Sequence, residues 1–255
     1  MNPIEFSTPD ASHAHALETL NALYEYDDFM LSIDTLLDVG CGDGKDLEWW
    51  ATRTTRDTEN PEPLDIKCTG IDLAPGLKLD NEYDNIDFLS RNFEQPFEDE
   101  YDPYDIIWSH NSFQYAINPL QALKTFNWML SPGGMLAIII PQTTNIVYNR
   151  QAFSQLDCTY YNHTLVSLIH MLAVNGFDCK NGFFKKEPDD AWISLVVYKS
   201  DVEPMDPAIT RWYDLVDLKL LPDSADVSIH KFGHLRQQDL VLPWLDKSNT
   251  DFSRH

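Results

Sequence analysis

LLDVGCGDGKDLEWW, residues 36–50, is the stretch that decides the fold. Leu36 to Val39 reads as a short buried strand, and Lys45 to about Thr52 as the helix that follows it. Between them stand Gly40, Gly42 and Gly44. A glycine-rich turn from a strand into a helix commonly holds a nucleotide, because the backbone amides can approach a ligand closely there. Which nucleotide is narrowed by what the spacing excludes.

A P-loop needs four residues between its first glycine and a Gly-Lys-Ser/Thr ending, with the hydroxyl reaching magnesium. Here Gly44-Lys45 is followed by Asp46, and the spacing is wrong. The dinucleotide fingerprint needs a third glycine three positions after the second, so that amides meet a pyrophosphate. That position is Lys45, and Asp43 and Asp46 repel phosphate. What remains is Asp38-x-Gly40-x-Gly42-x-Gly44 at a strand end.

Working outward, Asp10 or Ser12 caps a helix to about Phe29, with Leu17, Leu20, Leu23 and Tyr24 at helical spacing. Residues 52–63, TRTTRDTENPEP, form a polar loop. Ile66 to Asp72 and Ile86 to Leu89 read as the second and third strands, and EDEYDPYD (98–105) as a solvated acidic loop. Ile106, Ile107 and Trp108 make a fourth strand, and Leu120 to Leu130 a helix stopped by Ser131-Pro132-Gly133-Gly134. MLAIIIP (135–141) has the character of a central strand buried on both faces. His163 to Val174 is a further helix ended by Asn175-Gly176. The segments around Phe183 and from Trp192 to Lys199 are two closing strands joined by a KEPDD turn. This alternation predicts an α/β fold with a parallel sheet and helices on both faces.

The motif at 38–44 resembles the first motif of the class I S-adenosylmethionine-dependent methyltransferases, and the rest of the chain follows in that family's order over about residues 34–200. Within the family, the small-molecule and carboxyl methyltransferases, including the trans-aconitate and biotin-pathway enzymes, are nearest in character. The resemblance implies a Rossmann-like, seven-stranded, mostly parallel sheet with an antiparallel strand near the end of the core. It also implies S-adenosylmethionine as cofactor. That ligand carries a cationic amine and a sulfonium, which nearby carboxylates attract where they would repel a diphosphate. The residues placed on it are Asp38, Gly40, Gly42 and Gly44; Asp72, whose carboxylate accepts from the ribose hydroxyls, with Leu73 beside it; and Asn92 in SRNFEQPF, where the family often has Asp. An Asn there can both donate to and accept from adenine. Phe93 either stacks on the base or belongs to the core.

DIIWSHNSFQYAINP (105–119) resembles the fourth-strand motif that lines the methyl-transfer pocket. Methyl transfer from a sulfonium is an in-line displacement that needs a general base only for a hydroxyl or protonated amine. His110, two positions past Trp108, is the candidate catalytic residue: it either takes that proton, contacts cofactor or substrate, or only hydrogen-bonds at the strand end. Ser109 is counted with the cofactor residues, and Asn111 as pocket wall. Phe113 and Tyr115 are aromatic walls or core. His13 and His15, at i and i+2, share no helix face and suggest no metal pair. His163 and His170 read as surface or packing residues, and Trp49 and Trp50 as packing anchors. No metal site is predicted. The fourth strand lacks the Pro-Pro-aromatic and Pro-Cys patterns of base-methylating DNA enzymes.

The 41 acidic residues against 18 basic ones give a formal charge of −23, which disfavours direct binding to nucleic acid or anionic membranes. Cysteines at 41, 68, 158 and 179 lack metal or disulfide-framework spacing. With no signal-peptide pattern in MNPIEFSTPD and no apolar run of membrane-spanning length, a cytoplasmic protein is expected. The Asn162 sequon then reads as chance. Three parts are predicted: a helical cap at 1–32, the core at 33–200 and a C-terminal extension at 201–255. The locally basic SIHKFGHLRQQDLVLPWLD (228–246) reads either as a structural wrap or as a lid or docking segment for a partner or second copy. The function implied is methyl transfer to oxygen or nitrogen of a small molecule. Two alternatives stay open: an enzyme acting on protein or RNA through a partner, and a non-catalytic relative with an assembly or regulatory role.

Overall fold

β1 (Thr35–Val39) is the strand on which the fold turns. It pairs in parallel on one side with β2 (Lys67–Asp72), which pairs with β3 (Ile86–Ser90), and on the other with β4 (Tyr104–His110). Then follow β5 (Leu130–Pro141), β7 (Trp192–Lys199) and β6 (Phe177–Lys185), giving the order β3-β2-β1-β4-β5-β7-β6. β7 runs antiparallel to both its neighbours. The computed structural model describes residues 9–26, 32–55, 59–73, 83–95, 102–141, 163–185 and 192–244. The KEPDD turn, the Asn162 sequon, Cys158 and the end expected for the first helix at Phe29 lie outside them.

Parallel strands covered on both faces must be apolar on both faces. Met135 to Ile140 of β5 are all buried, as are Leu36 to Val39 of β1. Against one face pack α3 (Pro119–Met129) and α4 (Leu165–Val174), through Leu123, Phe126, Leu168 and Leu172 on Leu37, Val39 and Ile107. Against the other pack α1 (Pro9–Tyr26) and α2 (Lys45–Ala51), through Leu20, Leu23, Leu47 and Trp50 on Leu36, Cys68, Ile106 and Trp108. Trp50 is fully buried, and Arg53 lies over the Trp49 ring at 4.1 Å.

Two local readings change. β4 extends through His110, so Ser109 and His110 are the last residues of the strand rather than the first beyond it. Helix α3 stops at Met129, but Ser131–Gly134 does not separate it from β5. Leu130 already pairs with Tyr104, and the register then shifts before Met135 pairs with Ile106, so the Pro-Gly-Gly sequence is an irregularity inside the strand.

The segment from Val202 to Leu242 packs on the α4 side of the sheet, and Trp244 packs on the other. Leu215 of α5 (Trp212–Asp217), Leu220, Leu221 and Ile229 of α6 (Asp223–Phe232) are buried in the core shared with α3 and α4. The amides of Cys179 and Phe184 in edge strand β6 donate to the carbonyls of Leu220 (3.0 Å) and Pro243 (2.8 Å). Those bonds cover part of the edge that would otherwise be open to another strand.

Candidate functional site

Strand order runs outward from β1 through β2 to β3 and then restarts on the other side with β4. At such a switch point the connections leaving the two central strands diverge, and a crevice opens beyond their carboxyl ends. Both sequence motifs fall there, on the turns after β1 and after β4.

The first turn is built from backbone. Gly40, Gly42 and Gly44 all have positive φ, and Gly44 caps α2 in a left-handed conformation. A Cβ on Gly40 would lie 2.3 Å from Ser112 Cβ, so this position needs glycine for space as well as for φ. Among the described residues, nothing stands within 4 Å of a Cβ built on Gly42, so the turn is open there. The turn is tied to β2: the amides of Gly40 and Cys41 donate to the Ile71 carbonyl, and the Gly42 amide to Asp72 Oδ2 at 3.1 Å. Asp72 thereby braces the turn at which the resemblance had set it to hold a ribose.

Three carboxyls surround the turn. Asp38 is buried at 2% exposure, and its carboxyl is raised well above the ordinary range, by burial first and then by Asp46 and Asp72. A ligand bringing positive charge offsets that crowding. An open glycine cradle beside crowded carboxyls therefore fits a cationic nucleoside and does not fit a polyphosphate.

The second turn is built from side chains. Asn111, directly after His110, takes φ 53, a left-handed conformation that Asn tolerates better than most residues, and its amide donates to the Ile139 carbonyl. Ser112 Oγ donates to the Val39 carbonyl at 2.5 Å, so Ser109 Oγ must be the donor in the 2.7 Å contact between the two hydroxyls. Ser112 thus joins the two turns, and the fully buried Ser109 braces it from behind. Phe113 is core, packed on Phe126 and on His163, whose imidazole burial pulls down to about 4. His163 and His170 are packing residues; His170 meets Trp212 of the C-terminal segment edge-on.

His110 is anchored by a residue that the sequence did not mark. Its Nδ1 lies 2.9 Å from Asp46 Oδ2, which also accepts from Trp108 Nε1 at 2.8 Å; Asp46 Oδ1 lies 3.0 Å from His13 Nδ1 on α1. Burial alone would raise the Asp46 carboxyl. The bond from His110 and its charge, the Trp108 bond and His13 outweigh it, so the carboxyl sits below its ordinary value. His15 reaches Ser194 Oγ at 2.8 Å and stacks on Trp192, whose ring lies 6.2 Å from that of His110. The only sequence signal for Asp46 was an acid beside Leu47 and Trp50 on the buried face of a short helix.

At the end of β3, Asn92 Oδ1 accepts from the Glu94 amide, and Phe93 packs on Phe126 at 6.0 Å. The carboxylate of Glu94 accepts from the amides of Ile117 and Asn118, tying this loop to the one after β4. Leu73 is 66% exposed beside Asp72. Among the described residues, no three His, Cys, Asp or Glu side chains are placed to hold a metal ion, and no helix is long and apolar enough to cross a membrane.

A family model described as a methyltransferase domain matches residues 32–205. The chain belongs to this methyltransferase family, the class I family that uses S-adenosylmethionine. No curated protein matches it in sequence. Solved structures share the family's fold at low identity. A putative S-adenosylmethionine-dependent methyltransferase from Listeria monocytogenes is 17% identical with a TM-score of 0.53, over 73% of this chain and 100% of that one. The N-methyltransferase NodS from Bradyrhizobium japonicum WM9 is 14% identical with a TM-score of 0.51, over 76% and 99%. A chain from the complex between the Haloferax volcanii Trm112 methyltransferase activator and a putative methyltransferase is 18% identical with a TM-score of 0.52, over 74% and 95%.

Proposed function

We propose that this methyltransferase-family protein is an active enzyme that moves a methyl group from S-adenosylmethionine to an oxygen or nitrogen of a small molecule, with His110 as general base. The observation that carries the reading is the pairing of the two turns. An open, carboxylate-lined glycine cradle stands beside a strand end whose last residue is a histidine with an anchored ring. When bound, the cofactor supplies an electrophilic methyl carbon on a positively charged sulfur.

The residues that would hold it are the Gly40–Gly44 turn, Asp38 and Asp72, with Asn92 and the exposed Leu73 toward the base. Phe93 and Ser109 shape the wall, since the one packs on Phe126 and the other is fully buried. Asp46, ionised and able only to accept, keeps the proton of neutral His110 on Nδ1. The lone pair is then on Nε2, which takes the acceptor's proton as the new bond to carbon forms. Trp192 and His15 form an aromatic wall beside His110, suited to excluding water from that transfer. Cys41, Cys68 and Cys179 are buried free thiols, which is in keeping with the cytoplasmic location we propose.

The test is labelled methyl transfer to a panel of small hydroxy, carboxy and amino compounds. Label is expected on a small molecule, with turnover on a hydroxyl or amine falling about 10²–10⁴-fold in His110→Ala. A second reading, action on a macromolecule through a partner, is favoured by the neighbour solved with an activator protein. Label recovered in protein or RNA of an extract, and in no small molecule, would select it.

A further inference from the structure

We propose that Asp46 is the positioning residue of the reaction: it sets the tautomer of His110 and stabilises the imidazolium formed when His110 takes a proton. The proposal rests on His110 being the base.

A carboxylate at 7% exposure loses most of its hydration and persists only if donors replace the water. Here the donors come from two elements besides its own: Trp108 and His110 of β4, and His13 of α1. Trp108 is fully buried and packed edge-on against Trp50, so its N–H fixes Oδ2 against rotation. With Oδ2 fixed, the bond to Nδ1 fixes the His110 ring. Asp46 stands in the first turn of α2, where the helix N-terminus also favours negative charge.

Among the described residues, the charged and titratable groups around His110 include Asp46 from α2, His13 from α1 on the other oxygen of the same carboxylate, and His15 beyond Trp192. Behind Asp46 lies Asp38 of β1, whose buried carboxyl is pushed up by both Asp46 and Asp72 of β2. In the step, the acceptor's lone pair forms the bond to the methyl carbon while the carbon–sulfur pair stays on sulfur. The acceptor's O–H or N–H proton moves to His110 Nε2 and is later lost to water. The positive ring then lies 2.9 Å from an ionised carboxylate, the arrangement by which an acid orients a histidine and stabilises its charged form. The same carboxylate holds α1 through His13, so docking of that helix and orientation of the base share one anchor.

The test is long-range ¹H–¹⁵N NMR of the His110 ring in the full-length protein, without donor or acceptor. The wild type is expected to show the Nδ1–H tautomer. Asp46→Asn, whose side chain can donate as well as accept, is expected to mix the tautomers. In turnover, Asp46→Asn should lower kcat about 10²-fold. A role in packing alone would move stability without moving the tautomer. An Nε2–H tautomer in the wild type overturns the proposal. So does an unchanged ring spectrum in Asp46→Asn. Should that variant not fold, the wild-type spectrum decides alone. Failure of the base reading is separate: it appears as full turnover in His110→Gln.

Discussion

The turns after β1 and β4 leave adjacent strands of the same sheet and face the same crevice, yet they are made differently. The first is a glycine backbone with hardly a side chain of its own, held by the Ile71 carbonyl and the Asp72 carboxylate. The second is a set of side chains, Ser109, His110, Asn111 and Ser112, held by partners from β1, α2 and β5. The difference suits two tasks. A cofactor is gripped along its length, which rewards close backbone approach. Proton transfer needs one ring held in one orientation, which rewards hydrogen bonds to side chains.

The sharpest way to break the first turn is Gly40→Val. Its Cβ would fall 2.3 Å from Ser112 at a φ of +73, and left-handed strain and overpacking together predict about 3 kcal/mol or more lost in denaturant unfolding. The second turn can be loosened with acid. His163, packed on Phe113 beneath it, has its pKa lowered from 6.5 to about 4 by burial. The unfolded chain therefore binds the proton first, and stability falls as pH drops from about 6.5 toward 4, by up to about 3 kcal/mol. His163→Phe should flatten that slope in unfolding curves taken across the range.

Gly42→Ala separates grip from stability. The site is open, so only backbone strain of about 1–2 kcal/mol is expected in unfolding, while cofactor affinity should fall at least tenfold as the cradle fills. The smallest effect is a fraction of a proton. A cation bound beside Asp38 favours its ionised form, so cofactor binding should release protons and tighten as pH rises toward the raised pKa of Asp38. Binding heats measured in buffers of different ionisation enthalpy detect this, and Asp38→Asn should abolish it.

The same contrast governs what could be read in the sequence. The first turn announces itself because glycines at alternate positions after a short apolar strand serve few purposes besides a tight turn and close backbone approach. The acid ending β2 falls in a simple order behind them. The seven-stranded, mostly parallel sheet with an antiparallel strand near the end of the core came from the resemblance, and the structure has it, with β7 as that strand. The second turn was half legible. His110 was visible as a titratable residue at a strand end, but its partners lie 64 and 82 positions away. Asp46 looked only like a reason against phosphate, and Ser109 like a ligand contact, whereas its hydroxyl braces Ser112. The Pro-Gly-Gly after α3 read as a stop, but pairing with β4 absorbs it as an irregularity in β5. Long-range side-chain pairing and strand register leave no local pattern, which is why these features were not legible.

The most direct test of the account is calorimetric titration of the folded protein with S-adenosylmethionine and S-adenosylhomocysteine, beside an Asp72→Ala control. One site is expected, with Kd on the order of micromolar, weakened about tenfold or more in Asp72→Ala through loss of its bond to the Gly42 amide. A folded protein that takes up neither ligand, or an Asp72→Ala variant that binds as tightly as the wild type, would contradict it.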